Sequence, residues 1–399
     1  MNTQSSASGS TSKHALLSPS ASKRWLSCHV APLREQRYPR TSSVYADWGV
    51  ACHAVAESCL GKGFKPKDFI TVTVEGMVFD EEMAECTAAY VDYINAIPNV
   101  VEREIEVKLD ISQITGEDGA TGTADAILIA QLVDGSHELI VADLKTGKGV
   151  EVSAENNSQL MIYAAAAYSK FDLFYDISSI RLLIVQPRIN NYAEWVCSPE
   201  QLWGFAREVE GIGATILNNS DALTATPSED ACRWCKAKAD CPELAAEVNA
   251  LLTAWPKPDM ADDERLATLY SQVKLVEGWC EAVAQETERR LASGRPVPGY
   301  KLVEGRKSAR AWDDAEAVEA EMKASKIKHE WMYDYKLKSP TQAEKVLKEE
   351  KPRVWTKLAA RITQKPGKPT VAPIDDPRQA IQINTPEQDF AALDISDLR

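Results

Sequence analysis

Two apolar runs meet at a turn within residues 122 to 145, which read Gly122-Thr-Ala-Asp-Ala-Ile-Leu-Ile-Ala-Gln-Leu-Val-Asp-Gly-Ser-His-Glu-Leu-Ile-Val-Ala-Asp-Leu-Lys145. Residues 124–133 and 139–145 are rich in Val, Ile and Leu, and the Asp-Gly pair between them is a turn signal. The stretch therefore predicts a β-hairpin. Its density of branched residues places that hairpin at the centre of a sheet.

Three charged residues interrupt the apolar hairpin: Asp125, Asp143 and Lys145. Because side chains alternate along a strand, Asp143 and Lys145 share one face. Carboxylates can hold Mg²⁺ or Mn²⁺, which neutralises a phosphate and activates water. A lysine beside them can orient that water or stabilise the charge that develops on phosphorus. The three residues are therefore candidates for phosphodiester hydrolysis.

The length of the turn decides whether Asp125 joins that face. An even loop would point it to the opposite side of the sheet. An odd loop, such as residues 134–136 with Val133 paired to His137, would place Asp125 opposite Lys145. We therefore predict an odd loop or a bulge, with Gly135 supplying the positive φ that a three-residue turn needs.

Two pairs of polar residues are spaced four apart on predicted helices. His53 and Glu57 lie on one side of the first, where the imidazole can complete a metal site and Glu57 can support it. Gln159 and Tyr163 repeat the arrangement on the second, and both carry hydrogen-bonding groups that can position DNA.

A row of acidic residues follows one face of the strand predicted over residues 101–109. Glu102, Glu104 and Glu106 alternate there with Val101, Arg103, Ile105 and Val107. The pattern favours a solvated strand face, with Glu104 as the member that can approach the metal region.

The remaining pattern predicts a mixed α/β domain, in which helices flank a central sheet. Capping signals and apolar periodicity predict helices and a further buried strand around the hairpin. The predicted helices span residues 18–28, 47–60, 81–97 and 154–168, and the further strand spans residues 180–186.

Three of the nine cysteines form the compact pattern Cys232-x2-Cys235-x5-Cys241. Three thiolates leave a tetrahedral metal or a cubane cluster one ligand short, and Cys28 is the candidate for the fourth. Spacing leaves both an iron-sulfur cluster and zinc open. The other five cysteines fall on predicted helix or strand faces, where we expect packed thiols.

Composition limits the class of protein. The chain has 399 residues, 44% hydrophobic content and a net charge of -14. It has no apolar run of membrane-spanning length, and its Ser-rich start lacks the apolar segment of a secretion signal, so we expect a cytoplasmic protein without a membrane partner. The net charge opposes extensive nucleic-acid binding. Residues 301–368, however, hold 17 Lys and Arg against 11 Asp and Glu, which is compatible with local DNA contact.

A second apolar pattern lies beyond the cysteines. Residues 266–283 carry apolar side chains in steps of three and four, which predicts a long helix that either packs on its own domain or forms a homo-oligomer. Residues 299–360 predict a small basic helical region. The chain after Pro366 is Pro-rich and then acidic, which predicts disorder.

With these motifs in place, the chain resembles the RecB-like branch of the PD-(D/E)XK nucleases, in particular the iron-sulfur forms: the AddB nuclease domain and the CRISPR-associated adaptation exonucleases. The resemblance covers residues 15–245 and includes the segment Ser18-Pro-Ser-Ala-Ser-Lys-Arg-Trp-Leu-Ser-Cys28. The whole chain also resembles a phage-encoded family of RecB-like proteins. The resemblance implies a restriction-endonuclease-like core.

The resemblance also implies roles for residues of this sequence. A divalent ion would be held by His53, Asp125, Asp143 and the carbonyl of Leu144. Lys145, Gln159 and Tyr163 would complete the catalytic set. A 4Fe-4S cluster would be held by four cysteines, which are Cys28, Cys232, Cys235 and Cys241.

We therefore expect a nuclease domain over residues 18–245, between a flexible leader (1–17) and a helical, partly basic region (246–365). Residues 366–399 form the predicted acidic tail. The expected activity is metal-dependent DNA hydrolysis by an exonuclease, in the cytoplasm of a phage-infected bacterium and alongside phage recombination or replication proteins. The alternative is a non-catalytic DNA-binding or scaffold protein that keeps the fold and the cluster.

Overall fold

The computed structural model describes residues 15–39, 43–254, 262–301, 303, 315–325 and 340–362. It divides the chain into two compact units, Met1–Glu304 and Gly305–Arg399. The candidate site residues all belong to the first unit.

The first unit contains a small hairpin and a central five-stranded sheet. The hairpin is formed by β1 (Thr73–Val74) and β2 (Met77–Val78); the sheet is formed by β3 (Val100–Asp110), β4 (Thr121–Gln131), β5 (His137–Leu144), β6 (Ile177–Gln186) and β7 (Asn191–Cys197). The five strands lie in chain order. Neighbours are antiparallel except β5 and β6, which are parallel. The sheet is therefore mixed, and a helical crossover joins its parallel pair.

Helices cover both faces of this sheet. The described helices of the first unit are α1 (Ser22–Ser27), α2 (Ala31–Glu35), α3 (Val44–Lys62), α4 (Glu81–Asn95), α5 (Ser112–Thr115), α6 (Ser158–Phe171), α7 (Pro199–Asn218), α8 (Glu229–Cys232), α9 (Pro242–Ala254) and α10 (Asp263–Ala292). Residues of α6 and α7 share one buried cluster with the sheet, and residues of α3 and α4 share another. The predicted α/β class, a mixed central sheet flanked by helices, is confirmed.

The central hairpin is buried on both faces. Ile127 and Val141 pack with α6 and α7, whereas Leu128 and Ile140 pack with α3 and α4. A strand covered on both sides needs apolar residues at successive positions, which explains the nearly continuous apolar runs in the sequence.

The turn of the hairpin has the predicted odd length. Gln131 pairs with His137, and Leu132 N–H donates to the Ser136 carbonyl at 2.8 Å. Gly135 supplies the positive φ, at 90°. The suggested pairing of Val133 with His137 is wrong by two residues, a shift that leaves every side chain on its predicted face.

The start of the chain is ordered earlier than predicted. Leu17 is buried, and the Leu16 and Leu17 N–H groups each donate to the Glu117 carboxylate at 2.8 Å. The flexible leader was predicted over residues 1–17, and this prediction is wrong at least for residues 15–17. The single helix predicted over residues 18–28 is instead a short 3-10 turn, Pro19–Ala21, followed by α1.

Helix α10 buries only part of the predicted stripe. Leu269 is buried and Val276 packs against α9 together with Leu275, whereas Cys280 of the predicted seam is exposed. The helix is apolar on two overlapping stripes, and its contacts bury residues from both. Its proposed role in a homo-oligomer stays a prediction.

The second unit contains three described helices: α11 (Ala315–Ala324), α12 (Pro340–Glu350) and α13 (Pro352–Ala359). The predicted acidic tail, residues 366–399, lies outside the described residues. Among the helices that are described, none combines the length and the apolarity needed to cross a membrane.

Candidate active site

Three acidic residues form a row across neighbouring strands of the sheet. Ile105 pairs with Ala126 and Val107 pairs with Ala124, so Glu106 lies opposite Asp125. Ala126 pairs with Ala142, which places Asp125 opposite Asp143. The row therefore runs Glu106, Asp125, Asp143. It extends the face predicted from the hairpin by one strand, with Glu106 instead of Glu104 as the added acid.

Glu106 has an unusual backbone conformation for a strand residue, with φ at 49°. Alternation is interrupted there, because Ile105 packs in the cluster of α3 and α4 whereas Val107 packs in the cluster of α6 and α7. A left-handed non-glycine residue costs about 1–3 kcal/mol and is common at functional sites. The fold therefore holds Glu106 in this costly backbone conformation at the place where the three acids meet.

Helix α3 brings His53 to the acidic row. Its Nδ1 lies 3.3 Å from Asp125 Oδ1 and 3.7 Å from Glu106 Oε1. Burial disfavours the imidazolium, but the charge of Asp125 and hydrogen bonds with Asp125 and Glu106 outweigh it and raise the pKa of His53 to about 10. Glu57, the partner suggested from helical spacing, is exposed. The acids that face His53 come from the strands instead.

Asp125 is oriented by the adjacent strand. Its Oδ2 accepts a hydrogen bond of 2.7 Å from Leu144 N–H, while its Oδ1 faces His53. The backbone therefore fixes one carboxylate oxygen of Asp125 and leaves the other directed toward His53. The proposed use of the Leu144 carbonyl as a metal ligand stays a prediction.

Asp143, Lys145 and Gln159 contact one another in a closed triangle. Lys145 Nζ lies 2.9 Å from Asp143 Oδ2. Gln159 accepts from Lys145 Nζ at 2.9 Å and donates through Nε2 to Asp143 Oδ1 at 2.8 Å. Gln159, which lies in the first turn of α6, therefore fixes both members of the pair. This is a different role from the direct DNA contact suggested by the sequence.

The triangle is largely withdrawn from solvent. Burial is the largest influence on Asp143 and raises its pKa, and Lys145 opposes that effect while Asp125 adds to it. Burial also acts against the charge of Lys145, but Asp143 outweighs it, so the pKa of Lys145 is raised. Lys145 is therefore held as a cation beside the acids.

Two buried tyrosines border the site. Tyr163 packs in the core, and a methyl group added at Gly122 would lie 2.7 Å from its Cε1 atom. Tyr90 of α4 is also buried, and within the described part of the chain its hydroxyl has no hydrogen-bond partner. Burial and the site acids raise the pKa of both phenols. Tyr90 was not among the predicted residues, because its position depends on how α4 packs.

One side-chain set has the spacing of a metal site. Single ligand atoms of His53, Glu106 and Asp125 all lie within 4.8 Å of one another. An imidazole and two carboxylates suit Mn²⁺, and the carboxylates also suit Mg²⁺. Two of these residues belong to the predicted set, and Glu106 is new. Asp143 is the next acid in the row, where it contacts Lys145.

The four cysteines identified in the sequence line one small cavity. It is formed by Cys28, Cys232, Cys235 and Cys241 together with residues of α2 and α8. Burial raises the pKa of Cys232 and, to about 12, that of Cys235. Nearby donors face the sulfurs: Arg34 reaches Cys241 Sγ at 3.2 Å, and Thr226 N–H reaches Cys28 Sγ at 3.4 Å. In the region that the structure describes, no three of these sulfurs lie within 4.8 Å of one another.

Helix α1 connects the acidic site with the cysteines. At its start, Ser22 and Ser158 share a hydrogen bond of 2.6 Å, and Ser158 directly precedes Gln159. At its end the next residue is Cys28. A helix of six residues spans about 9 Å, so the two groups of residues lie close together.

The fold and the site thus define an α/β protein whose mixed sheet carries carboxylates, an imidazole and an amine at one place. The chain belongs to a protein family described as "Protein of unknown function (DUF2800)", which matches residues 14–379. Among solved structures it is similar to one titled "Crystal structure of SSO0001". That similarity covers 54% of this chain and 95% of the other at 13% identity and a TM-score of 0.25, too low to support a conclusion.

Proposed function

We propose that this protein is a divalent-metal-dependent deoxyribonuclease with a RecB-like PD-(D/E)XK core. The observation that carries the proposal is the contact of Lys145 with Asp143 beside Asp125, all on one face of adjacent strands. A protein with a purely structural role has no physical need for two acids and an amine in a largely buried cluster, because such burial is costly.

The proposed ion site consists of His53, Glu106 and Asp125, with Asp143 beside it. When bound there, Mg²⁺ or Mn²⁺ would neutralise phosphate charge and lower the pKa of water. Because its acidic neighbours raise the pKa of His53, an ion that binds there would have to displace a proton from the imidazole. Leu144 N–H leaves Asp125 Oδ1 directed toward His53.

Lys145 is proposed to act as a cation. Its raised pKa disfavours a role as a general base and favours stabilisation of the charge that develops on the scissile phosphate. Gln159 would hold the amine at Asp143 while substrate binds. We further propose exonuclease action on DNA in phage recombination or replication, in line with the RecB-like resemblance of residues 15–245.

We also propose that the four cysteines hold a 4Fe-4S cluster with a structural role. Zinc has the same preference for four thiolates, so the sequence spacing alone leaves it open. The resemblance of residues 15–245 to the iron-sulfur nucleases favours the cubane cluster. Such a cluster would join the segment after α1 to the segment around α8, which are about 200 residues apart in the chain.

The proposed activity is tested by the degradation of linear DNA with Mn²⁺ and with EDTA. We expect wild type to degrade DNA only with metal, Lys145→Ala to lose at least about 10²-fold in rate, and the exposed control Lys62→Ala to match wild type. Circular dichroism establishes that the variants fold. Equal rates for Lys145→Ala and wild type would refute the assignment. A wild type that binds DNA but cleaves no form of it would favour the scaffold alternative.

The cluster is tested by anaerobic purification with iron and acid-labile sulfide analysis. We expect iron and sulfide in wild type, their loss in Cys28→Ser, and their retention in Cys59→Ser, where the thiol is packed in the core of α3 and α4. Zinc without sulfide in wild type would refute the iron-sulfur assignment.

A further inference from the structure

An arginine-lined cavity lies beyond the cysteines, on the side formed by α2 and the end of α10. Its volume is about 530 Å³. Five arginines line it, which are Arg34, Arg37, Arg289, Arg290 and Arg295. Such a concentration of one charge in a concavity is unexpected in a chain with a net charge of -14.

The acids around the cavity do not balance these arginines. Glu286 contacts both Arg289 and Arg290, and Asp240 contacts Arg290 at 2.7 Å. These are the two acids that line it, against five cationic side chains. The cavity therefore keeps an excess of positive charge.

Two of the five arginines are available to a ligand. Among the residues that the structure describes, none forms an ion pair or side-chain hydrogen bond with Arg37 or Arg295. Arg34, in contrast, is held by Glu243 through two bonds of 2.6 Å. A partner that enters the cavity can therefore bind Arg37 and Arg295 without first breaking an ion pair.

Helix capping explains only part of this arrangement. Cations at the end of α10 interact favourably with the helix dipole, which accounts for Arg289 and Arg290. After that end, Gly294 has φ at 79° and Arg295 N–H donates to the Arg290 carbonyl at 2.9 Å, which turns Arg295 back toward the helix. Arg37 comes from the segment after α2, so the dipole of α10 does not explain its presence.

A second feature is an exposed tryptophan, Trp234, which lies between Cys232 and Cys235 in the chain. Trp234 is 70% exposed and lines a neighbouring groove that also contains four cations and three acids, which are Arg233, Lys236, Lys238, Lys274, Glu229, Glu277 and Glu281. An exposed indole beside cations is the arrangement on which proteins stack the bases of single-stranded nucleic acid.

We propose that the arginine-lined cavity binds the phosphodiester backbone of a DNA strand, with Trp234 stacking on one of its bases. Guanidinium groups match phosphate oxygens with paired hydrogen bonds, and a positive concavity concentrates a polyanion. The inference rests on the proposed nuclease function and adds a substrate-holding surface to it. Helix α1 starts at Ser22, which bonds Ser158 next to Gln159, and ends before Cys28, so a strand that leaves the active site along α1 would reach the cysteines and then the cavity.

The test compares two double variants with the same change in net charge. Arg37→Glu with Arg295→Glu alters the cavity, and neither arginine has an ion-pair partner among the described residues. Lys62→Glu with Arg207→Glu is the control, at exposed positions on α3 and α7 that line neither cavity nor groove. Binding of fluorescein-labelled oligothymidine is measured by anisotropy in EDTA, so that cleavage does not interfere.

We expect Kd to rise at least about 10-fold for the cavity variant and less than about 2-fold for the control. The slope of log Kd against log salt should fall by about 1.4, or 0.7 for each lost phosphate contact. Trp234→Ala should raise Kd by about 10-fold through lost stacking, with iron content checked in the same preparation.

Equal losses in the two double variants would overturn the inference, as would a wild type that binds no oligothymidine. Binding of polyglutamate in place of DNA would reassign the cavity to an acidic protein segment. The nuclease proposal is judged separately. If wild type cleaves DNA but the cavity variant binds oligothymidine as well as wild type does, only this inference is refuted. If the cavity variant loses binding but wild type does not cleave DNA, only the catalytic assignment is refuted.

Discussion

Lys145 Nζ lies 2.9 Å from Asp143 Oδ2, where Asp143 belongs to β5 and Lys145 directly follows the end of that strand. Gln159 contacts both members of this pair from the first turn of α6. The strand therefore brings the charges together, and the helix fixes their orientation.

Replacement of Gln159 by Leu should reduce the rate of DNA cleavage by about 10- to 100-fold. The loss should be in kcat more than in KM, because Leu removes the support of Lys145 and Asp143 without adding charge. Steady-state kinetics on a linear duplex measure it, with Gln113→Leu on the exposed side of α5 as the control. An unchanged kcat in Gln159→Leu would contradict the positioning role.

Glu106 should contribute to metal affinity, whereas Glu104 should not. Glu106 faces His53, while Glu104 pairs with Lys170. Calorimetric titration with Mn²⁺ should give an affinity at least about 10-fold weaker for Glu106→Gln and little change for Glu104→Gln, because only the first removes a ligand charge. The same affinity for both variants would exclude Glu106 from the site.

The ion pair between Arg34 and Glu243 should stabilise the protein at neutral pH and lose its effect in acid. Its hydrogen bonds lower the pKa of Glu243 from 4.5 to about 2. A lowered pKa means that the contribution is present above pH 4.5 and is lost as pH falls toward 2.

Urea unfolding of wild type and Glu243→Gln tests this prediction. At pH 7 the variant should be less stable by about 1 kcal/mol, a value reduced for solvent screening of a partly exposed pair. The difference should shrink at pH 3.5. The same difference at both pH values would show that the pair does not act through the charge of Glu243.

Two glycines of α7 should respond oppositely to replacement by alanine. A methyl group at Gly213 would lie 1.9 Å from the Thr115 carbonyl oxygen, whereas one at Gly204 would have no described atom within 4 Å apart from its own helix backbone. Gly213→Ala should therefore lower the free energy of unfolding by at least about 2 kcal/mol. Gly204→Ala should raise it by about 0.5–1 kcal/mol through helix propensity. Thermal unfolding of both variants measures this, and equal effects would contradict the close approach of α5 and α7.

The sequence predicted what local periodicity determines. Alternation along one hairpin placed Asp125, Asp143 and Lys145 on one face, provided that the loop between the two strands has an odd number of residues. Glu106 was missed for two reasons. Its position depends on the pairing of β3 with β4, which are separated in the chain by α5, and its positive φ interrupts the alternation on which the prediction was based. Alternation alone therefore gave Glu104 as the nearest acid.

Two helices show the same limit. The helix α7 was not predicted, although Ser198 and Gln201 form the capping box that marks its start. For α10 the apolar spacing fits two overlapping stripes, and contact with α9 covers residues of both, including Leu275 and Val276. Local sequence signals thus identify a helix, whereas the face that it buries depends on the element that packs against it.

The most direct test of the account is the anomalous scattering of crystals soaked in Mn²⁺. The account predicts a manganese peak bounded by His53, Glu106 and Asp125, with Lys145 still in contact with Asp143. Fully soaked crystals with no peak at those three residues, or with manganese bound only elsewhere, would contradict it.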